Sequence, residues 1–388
     1  MGTRPCKAGG CAFPKGWTLV LPHRSLGPSL GKGFPALGDC AVFVSPGASG
    51  KSLGEDDGIM CGIVGCVGLS TSEEPALLSL THRGPDSKGK QSFDVAGKVL
   101  WLGHTRLAIQ DLSPAGHQPM HSRNGRWWIT FNGEIYNHLD LRRELSGPFA
   151  GHSDTETLVE LIAERGVRET LPLLNGMFAF AALDTQEGKL YLARDPFGIK
   201  PLYYTQKKRS FAFASEVRAL RALGVVGGPD ERSLRLFLTL RYAPAPSTLW
   251  QGVSRLAPGH LLCLNVGKET HSLARYVRPV QTRFSGTMDQ AAEEYGQLLQ
   301  QAVRRQLLSD VPVGVLLSGG IDSALVAAMA REEGKELPSF SVGFGPGHPE
   351  CELEEAAETA RVLNLPFVPV EVTPEQLREA LADIVQTV

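Results

Sequence analysis

Cys61 directly follows Met60 in a segment that reads Met-Cys-Gly-Ile-Val-Gly over residues 60–65. A cysteine in this place becomes the first residue when the methionine is removed. It then carries both a thiol nucleophile and an adjacent free amine that can act as its base. We therefore expect the catalytic chain to begin at Cys61, with residues 1–59 lying outside it.

An Asn-Gly pair adds hydrogen-bond donors further along the chain. Asn132 and Gly133 directly follow the apolar residues 127–131, and Glu134 comes next. An asparagine amide beside a glycine N–H can donate two hydrogen bonds to one point, which is how an oxyanion is stabilised. Asn-Gly is also the strongest signal for a two-residue hairpin turn. The sequence leaves both interpretations open.

Arg106 and Asp154 are candidates for charge recognition. Arg106 ends an apolar run and could hold a carboxylate through two parallel hydrogen bonds, although a lone arginine more often forms a surface ion pair. Asp154 and Ser153 precede a helical pattern, where either could be an ordinary N-cap and Asp154 could instead bind an ammonium group. A polar turn at residues 82–86, His-Arg-Gly-Pro-Asp, has the same ambiguity when it is taken alone.

A second candidate site is a glycine-rich turn between a strand and a helix. Residues 313–317 are apolar, and Ser318, Gly319 and Gly320 lead to a helical pattern that begins at Ser323. Glycines let backbone N–H groups approach an anion, and a helix N-terminus adds the positive end of a dipole. The turn has neither the lysine of a Walker A loop nor the spacing of a dinucleotide fingerprint. We expect another kind of phosphate site, with a glycine-rich helix cap as the alternative.

The composition limits the classes of protein. A chain of 388 residues is long enough for two domains. A formal net charge of -2 gives no reason to expect a nucleic-acid or anionic membrane partner, and no apolar run reaches the roughly 18 residues that a membrane span needs. Seven cysteines without a C-x-x-C spacing indicate a reducing, cytoplasmic setting.

Short apolar runs predict strands in the first part of the chain, and helical patterns lie between them at residues 73–80, 139–145 and 155–165. The predicted strands cover residues 63–67, 99–102, 127–131, 178–183, 189–193 and 211–214. We expect an α+β domain over residues 60–250 with stacked, mostly antiparallel sheets. Residues 1–59 are rich in glycine and proline and show no sustained periodicity, so we expect them to be unstructured.

The pattern changes after a connector at residues 251–287. From residue 288 onward strands alternate with helices, which predicts an α/β domain with a parallel sheet. The strands are expected at residues 311–317, 339–344 and 367–372, and the helices at residues 288–308, 323–333, 352–363 and 375–385. Three strands are few for such a sheet. We therefore expect residues 288–388 to be the first part of a larger domain.

The polar segments behind Cys61 together resemble the glutaminase domain of class II glutamine amidotransferases, over residues 60–215. The resemblance implies an N-terminal-nucleophile sandwich in which Cys61 attacks the side-chain amide carbon of glutamine and its own α-amino group relays the proton. It assigns the oxyanion to Asn132 and Gly133, the substrate carboxylate to Arg106, and the substrate ammonium to Glu134 and Asp154.

The glycine-rich turn resembles the pyrophosphate loop of ATP pyrophosphatases. That resemblance implies ATP and magnesium as cofactors, with Asp322 near the phosphates and the metal. It assigns the nucleotide to Leu317, Ser318, Gly319, Gly320, Asp322 and Ser323, and to Val342 and Gly343 at the end of the next strand.

The two sites in this order resemble glutamine-hydrolysing asparagine synthetase over residues 60–388, as do the linking residues 242–246 and 256–260. The resemblance implies that glutamine, aspartate and ATP are the small-molecule partners and that aspartate is activated as an adenylate before ammonia attacks. Members of this family also amidate other acceptors, including sugar acids of surface polysaccharides, and these motifs do not separate them. We leave a homodimeric assembly open.

Two features depart from the family pattern. Residues 1–59 would give Cys61 a peptide N–H in place of an amine, and no later Ser-Gly-Glu-Gly-Ser-Asp-Glu type segment occurs. We therefore expect the chain as given to be a fragment or a truncated reading frame that cannot complete amide synthesis. The alternatives are a stand-alone glutaminase, an amidotransferase for another acceptor, and a catalytically inactive relative.

Overall fold

The computed structural model describes residues 42–44, 60–69, 73–207, 209–278, 283–334, 337–345, 347–349 and 351–387. These residues form two compact units. The first unit holds the described residues between 60 and 285, and the second holds residues 42–44 and 286–387. The prediction that residues 1–59 are unstructured lies outside the described residues except at 42–44, which form a short strand that the sequence does not predict.

The strands of the described residues are β1 (Val42–Val44), β2 (Gly62–Val67), β3 (Ser87–Val95), β4 (Lys98–Arg106), β5 (Met120–His121), β6 (Trp127–Ile135), β7 (Gly176–Asp184), β8 (Lys189–Arg194), β9 (Tyr203–Lys207), β10 (Ser210–Ala214), β11 (Ser254–Arg255), β12 (His260–Asn265), β13 (Thr270–Arg275), β14 (Val313–Leu316), β15 (Ser339–Gly343) and β16 (Phe367–Glu371).

The helices are α1 (Glu74–Leu78), α2 (His138–Arg143), α3 (Asp154–Arg165), α4 (Val167–Thr170), α5 (Val217–Ala222), α6 (Glu231–Leu240), α7 (Met288–Gln306), α8 (Ile321–Glu332), α9 (Leu353–Val362) and α10 (Pro374–Thr387). Short 3₁₀ helices cover Thr81–Arg83, Pro114–Gly116 and Leu171–Leu173.

The first unit is a sandwich of two six-stranded antiparallel sheets. One sheet has the strand order β11-β9-β10-β2-β4-β3, and the other has the order β13-β12-β8-β7-β6-β5. Apolar side chains from both sheets, among them Ile63, Leu102, Phe213 and Leu183, are buried in one core between them. The predicted α+β sandwich of antiparallel sheets is confirmed.

Helices cover the outer faces because side chains alternate across each strand. On β7, Phe178 and Phe180 point away from the central core and pack with Leu158 of α3. On the other sheet, Val64 of β2 packs with Leu220 of α5. Each such side chain, when it is fully buried, contributes about 1.5 to 3 kcal/mol to the free energy of unfolding. The helices therefore fix the strands whose ends carry the first candidate site.

The first unit continues past residue 250, and this differs from the predicted connector at residues 251–287. Strand β12 pairs with β8, and β13 pairs with β12. Leu261, Leu262 and Leu264 of β12 are buried. The prolines and glycines ahead of β12 suggest a linker in the sequence, but burial of these leucines places the segment in the sheet.

The second unit is built on a sheet with the order β1-β14-β15-β16. Strands β14, β15 and β16 are parallel, as the alternation of strands and helices predicts, and β1 pairs antiparallel with β14. Helix α7 begins with a capping box, in which the Thr287 and Gln290 side chains each accept a hydrogen bond from the other residue's backbone N–H. The predicted α/β character of this unit is confirmed.

Candidate active site

Cys61 lies immediately before β2, which is an inner strand of its sheet. Its half-buried side chain contacts the backbone of Leu107, whose N–H lies 3.4 Å and whose carbonyl oxygen lies 3.5 Å from Cys61 Sγ. Burial raises the pKa of the Cys61 thiol, although the Leu107 hydrogen bond and the Arg106 charge act in the opposite direction. The thiol therefore needs a base before it can attack.

Asn132 and Gly133 lie inside β6 and pair with Ala179 and Phe178 of β7. The hairpin interpretation of this Asn-Gly pair is therefore wrong. The Asn132 side chain is buried, and its Nδ2 has no hydrogen-bond partner among the described residues. A buried amide without a partner is rare and requires an explanation, which a bound ligand oxygen would supply.

Gly133 is in close contact with the neighbouring strand. A Cβ at this position would lie 2.2 Å from the carbonyl oxygen of Met177 and 2.7 Å from Phe178 Cα. Because both neighbours are backbone atoms, they could not move aside without disturbing β7. The absence of a side chain therefore lets β6 and β7 pair next to the Asn132 amide.

Two hydrogen bonds fasten the strand that carries Asn132 to the strand that carries Arg106. Thr130 Oγ1 donates to the Gly103 carbonyl oxygen at 3.0 Å, and His104 Nε2 lies 3.0 Å from the Phe131 carbonyl oxygen. Burial lowers the pKa of His104 to about 3, so the ring is neutral at physiological pH. This neutral ring fits the apolar space between the sheets and fixes β4 against β6.

Arg106 ends β4 and is buried, so the surface ion-pair interpretation does not describe it. Its guanidinium donates to the carbonyl oxygens of Ser113 at 3.2 Å and Gln110 at 3.3 Å, and also to that of Asp111. The following loop thus holds the guanidinium in one place beside Cys61. A fixed cation of this kind can orient a substrate carboxylate.

Glu134 and Asp154 form a pair of acidic side chains. Ser153 provides the N-cap of α3, because its Oγ accepts a hydrogen bond from Glu156 N at 3.2 Å. Asp154 Oδ2 instead accepts from Ile135 N at 2.9 Å. Burial raises the pKa of Asp154 to about 6, and burial together with the charge of Asp154 raises the pKa of Glu134 to about 7. A bound ammonium group would favour the ionised form of both carboxyls.

Lys200 also belongs to this cluster, although it is not among the site residues predicted from the sequence. Its buried ammonium donates a hydrogen bond to Met60 Sδ at 2.9 Å. Burial lowers the pKa of Lys200 to about 8, while the charges of Glu134 and Cys61 act to raise it. Lys200 therefore connects the thiol electrostatically to the acidic pair.

A buried carboxylate and the Arg194 guanidinium together hold the loop that carries Lys200. Asp195 accepts hydrogen bonds from the backbone N–H groups of Phe197, Ile199 and Lys200, each at 3.0 Å. A signal for this loop exists in the sequence, where residues 194–200 read Arg-Asp-Pro-Phe-Gly-Ile-Lys directly after an apolar strand. The charged residues Arg194, Asp195 and Lys200 of this segment indicate a structured loop, but a prediction of strands from apolar runs does not use them.

Arg83, within the polar turn at residues 82–86, holds the backbone of Cys61. Its Nε donates to the Cys61 carbonyl oxygen at 3.1 Å, and its Nη1 donates to Glu216 Oε1 at 2.6 Å. His82 Nε2 also contacts Glu216 Oε1 at 3.0 Å. Burial acts to raise the pKa of Glu216, but the His82 hydrogen bond and the Arg83 charge lower it overall.

The second candidate site lies in the second unit, between β14 and α8. Ser318 N and Ser318 Oγ contact Ser323 Oγ at 3.2 and 2.8 Å, and Gly320 N donates to Ser318 Oγ at 3.2 Å. Leu317 and Ser323 are buried, whereas Ser318, Gly319, Gly320 and Asp322 are exposed. The turn therefore presents glycine backbone and a carboxylate to solvent at the N-terminus of a helix.

A neighbouring carboxylate already contacts this turn. Gly319 N donates a hydrogen bond to Glu352 Oε2 at 3.0 Å. Val342 and Gly343 lie at the carboxyl end of β15, which is parallel to β14, so they share one edge of the sheet with the turn. Crevices at the carboxyl ends of parallel strands are where such sheets bind ligands.

The described residues were also compared with what disulfide bonds, metal sites and membrane-spanning helices require. Cys61, Cys66, Cys263 and Cys351 are free thiols. No group of three or more His, Cys, Asp or Glu side chains suited to a metal ion occurs in the part of the chain that the structure describes. Within that same part, no helix has the length and apolar character that crossing a membrane requires.

The sandwich of antiparallel sheets, with Cys61 at the start of an inner strand, is the domain of a glutamine amidotransferase. The chain belongs to the family described as "Glutamine amidotransferase domain", whose sequence profile matches residues 60–277. A second profile, described as "Asparagine synthase", matches residues 294–388. The predicted resemblance to glutamine-hydrolysing asparagine synthetases is confirmed.

Several relatives are about one third identical to this chain over the aligned residues. Asparagine synthetase [glutamine-hydrolyzing] 1 of Bacillus subtilis (strain 168) is 35% identical over 341 residues, which cover 84% of this chain and 52% of that protein. Amidase chry2 of Gibberella zeae is 34% identical and covers 80% of this chain and 48% of that protein. This chain thus spans about half the length of these relatives.

Among solved structures, glutamine phosphoribosylpyrophosphate (PRPP) amidotransferase from B. subtilis, complexed with ADP and GMP, is similar to this chain at 18% identity with a TM-score of 0.45. The similarity covers 83% of this chain and 92% of that one. A similarity this distant supports no argument about function.

Proposed function

We propose that the first unit hydrolyses glutamine at Cys61 and that the second unit uses ATP to activate the acceptor of the ammonia. The observation that carries the first part is the buried Asn132 Nδ2, which has no hydrogen-bond partner in the described part of a unit that also holds a thiol and an acidic pair. A glutamine carbonyl oxygen that becomes negatively charged during attack would satisfy this donor.

The proposed reaction follows from the side chains around Cys61. The thiol would lose its proton to the α-amino group of Cys61 and attack the amide carbon, while Asn132 Nδ2 and Gly133 N–H donate to the oxyanion. The same amine would pass the proton to the leaving ammonia. Water would then cleave the thioester and release glutamate. Arg106 would hold the substrate carboxylate, and Glu134 with Asp154 would hold its ammonium.

This scheme requires a free amine at Cys61. In the 388-residue chain the nitrogen of Cys61 is joined to Met60 by a peptide bond, which has no basic lone pair. An α-amino group ionises near pH 7.7 to 8.0, roughly the range a general base needs at neutral pH. We therefore propose that the active form begins at Cys61.

Replacement of residues 57–60 by the factor Xa recognition sequence Ile-Glu-Gly-Arg tests this scheme. Factor Xa cleavage leaves Cys61 as a first residue while every later residue is kept. We expect glutamate to form from glutamine only after cleavage, and not from a cleaved protein that also carries Cys61→Ala. A cleaved protein without hydrolysis would overturn the proposal, and hydrolysis by the Cys61→Ala protein would remove Cys61 as the nucleophile.

The second unit is proposed to bind ATP at Ser318–Ser323, with Val342 and Gly343 near the base. When magnesium accompanies the nucleotide, Asp322 would hold it, and the metal would neutralise the phosphates. Magnesium commonly uses one or two carboxylates together with substrate phosphates and water, so the exposed Asp322 fits such a site although the described residues contain no three-ligand cluster.

Asparagine formation from aspartate is the activity we propose for the two units together, because the names of several relatives describe it. A cytoplasmic location is proposed from the free thiols. A homodimer remains a prediction, which the mass in solution would test. Pyrophosphate release from ATP, measured with aspartate and with other carboxylic acids, would identify the acceptor.

A further inference from the structure

Asp111 is a buried carboxylate close to the proposed binding residues for the amino-acid end of glutamine. Its Oδ1 accepts hydrogen bonds from Ser113 Oγ at 2.5 Å and Ser113 N at 3.2 Å, and its Oδ2 accepts from His152 N at 2.8 Å. Its carbonyl oxygen accepts from the Arg106 guanidinium. Asp111 thus contacts Arg106 through its carbonyl oxygen. Through its side chain it contacts the backbone N–H of His152, which lies two residues before Asp154.

The backbone conformation of Asp111 and two nearby glycines permit these contacts with Arg106 and His152. Asp111 has a φ of 55°, in the left-handed region that non-glycine residues seldom adopt. A Cβ at Gly151 would lie 2.0 Å from Asp111 Oδ2, and a Cβ at Gly116 would lie 2.0 Å from Arg106 Nη2. Two glycines therefore leave the space in which the carboxylate and the guanidinium reach their partners. A strained φ of this kind costs about 1 to 3 kcal/mol and is maintained only when surrounding contacts fix it.

We propose that Asp111 is a positioning residue that fixes the distance between Arg106 and Asp154 and thereby sets the selectivity for an α-amino acid. The inference rests on the proposed glutaminase function. Asp111 touches no reacting atom in this scheme. Its effect is to keep Arg106, which would bind the substrate carboxylate, at a fixed distance from Asp154, which would bind the substrate ammonium.

Asp184 is a matched control because it is an equally buried carboxylate in the same unit. It accepts from Arg126 Nε at 2.9 Å and Arg126 Nη2 at 2.6 Å, and it has no contact with the proposed site. Hydrogen bonds hold the pKa of both Asp111 and Asp184 below the usual range despite burial. Replacing either by asparagine therefore removes a stabilised charge, but only Asp111 lies between Arg106 and Asp154.

The experiment compares L-glutamine with glutaramic acid, which lacks the α-amine, and with 4-aminobutanamide, which lacks the carboxylate. Wild type, Asp111→Asn and Asp184→Asn carry the factor Xa sequence and are cleaved ahead of Cys61. We expect Asp111→Asn to raise the KM for glutamine about tenfold, to change kcat less than about threefold, and to reduce the preference for glutamine over both analogues about tenfold. Asp184→Asn should keep the preference of the wild type.

Ser113→Ala provides a milder variant if Asp111→Asn does not fold, because it removes one hydrogen bond to the carboxylate. It should raise the KM for glutamine about threefold and lower the preference in the same direction. Unchanged preference in a folded Asp111→Asn or Ser113→Ala protein would overturn the inference.

A binding measurement separates the positioning role of Asp111 from the proposed hydrolysis of glutamine. If the cleaved wild type does not hydrolyse glutamine, calorimetry of L-glutamine with the same proteins tests Asp111 without catalysis. Binding that is weakened about tenfold in Asp111→Asn and unchanged in Asp184→Asn would keep the positioning role while the glutaminase is lost. Equal binding by all three proteins, or no binding by the wild type, would overturn it.

Discussion

Arg83 donates a hydrogen bond from Nε to the carbonyl oxygen of Cys61 at 3.1 Å, so a cation fixes the backbone of the proposed nucleophile. The same guanidinium is held by Glu216, whose Oε1 lies 2.6 Å from Arg83 Nη1. Removal of Glu216 should therefore displace Cys61 through Arg83, although Glu216 has no contact with the thiol in this arrangement.

Glu216→Gln should lower kcat for glutamine about tenfold, because small displacements of a nucleophile from its attack geometry have large effects on rate. It should also lower the free energy of unfolding by about 2 kcal/mol at pH 7, since a hydrogen bond to a charged partner is weakened. Steady-state kinetics of the cleaved protein and urea titration measure the two effects.

Glu160→Gln is the control for Glu216→Gln, because Glu160 is a buried carboxylate that pairs with Arg123 away from Cys61. It should lose similar stability and keep its kcat. The lowered pKa of Glu216 means that its stabilisation is present above an unfolded pKa of about 4.3 and is lost as pH falls through the lower folded pKa. The stability difference between wild type and Glu216→Gln should accordingly shrink below about pH 4. Equal kcat in both variants would contradict the positioning role.

The KM for glutamine should fall as pH rises from 5 to 8. Asp154 and Glu134 have pKa values raised to about 6 and about 7, and their ionised forms attract the substrate ammonium more strongly than their protonated forms. Glu134→Gln should remove the upper inflection of the KM profile and raise KM. The kcat profile reports the enzyme-substrate complex instead, with the α-amino base near pH 8. A KM that does not change with pH would argue against this acidic pair as the ammonium site.

Asn132→Leu should abolish most activity without loss of stability. Removing an oxyanion donor lowers kcat about 10²- to 10³-fold, whereas among the described residues Asn132 Nδ2 has no hydrogen bond to lose. Thermal unfolding of Asn132→Leu should match or exceed that of wild type.

Gln118→Leu provides the contrast to Asn132→Leu. Gln118 is a buried amide whose Oε1 accepts from Phe131 N at 2.7 Å and whose Nε2 donates to Thr155 Oγ1 at 3.2 Å. Its loss should cost about 1 to 3 kcal/mol, because Phe131 N is left without a partner. A comparable loss in Asn132→Leu would show that the Asn132 amide has a structural partner after all.

Glu352→Gln should strengthen binding of pyrophosphate to the full chain. Glu352 accepts a hydrogen bond from Gly319 N in the glycine-rich turn, where it competes with an anionic ligand. Removing its charge should lower the Kd of pyrophosphate or ATP about three- to tenfold, as measured by calorimetry. Glu354→Gln, at an exposed position in the first turn of α9, which Glu352 directly precedes, should have no effect. Weaker binding by Glu352→Gln would indicate that Glu352 assists the ligand.

The sequence predicts elements well where apolar residues repeat regularly. Strand β14, the turn at Ser318 and helix α8 follow directly from a run of apolar residues, glycines and a helical pattern. Strand β3 is not predicted, because its polar residues alternate between half-buried and exposed positions and have no apolar run. The end of the first unit is misplaced for a related reason, since β12 follows a segment rich in proline and glycine.

The candidate site is only partly predictable. Four site residues lie in or next to strands and helices that the sequence predicts, so their types and order indicate a site: Cys61, Arg106, Asn132 and Asp154. Asp111 and Lys200 lie in loops, and their roles depend on residues remote in the chain, such as His152 for Asp111 and Glu134 for Lys200. A positive φ at Asp111 and the burial of Lys200 are outcomes of tertiary packing, which local patterns do not encode.

The proposed role of Cys61 is tested most directly by the mass of the Cys61 peptide from protein quenched in acid during glutamine turnover. We expect a γ-glutamyl thioester on Cys61 in protein cleaved ahead of this residue, and none in the uncleaved protein, because only the cleaved form has the amine base. Turnover without an adduct on Cys61, or an adduct on another residue, would contradict the assignment of Cys61 as the nucleophile.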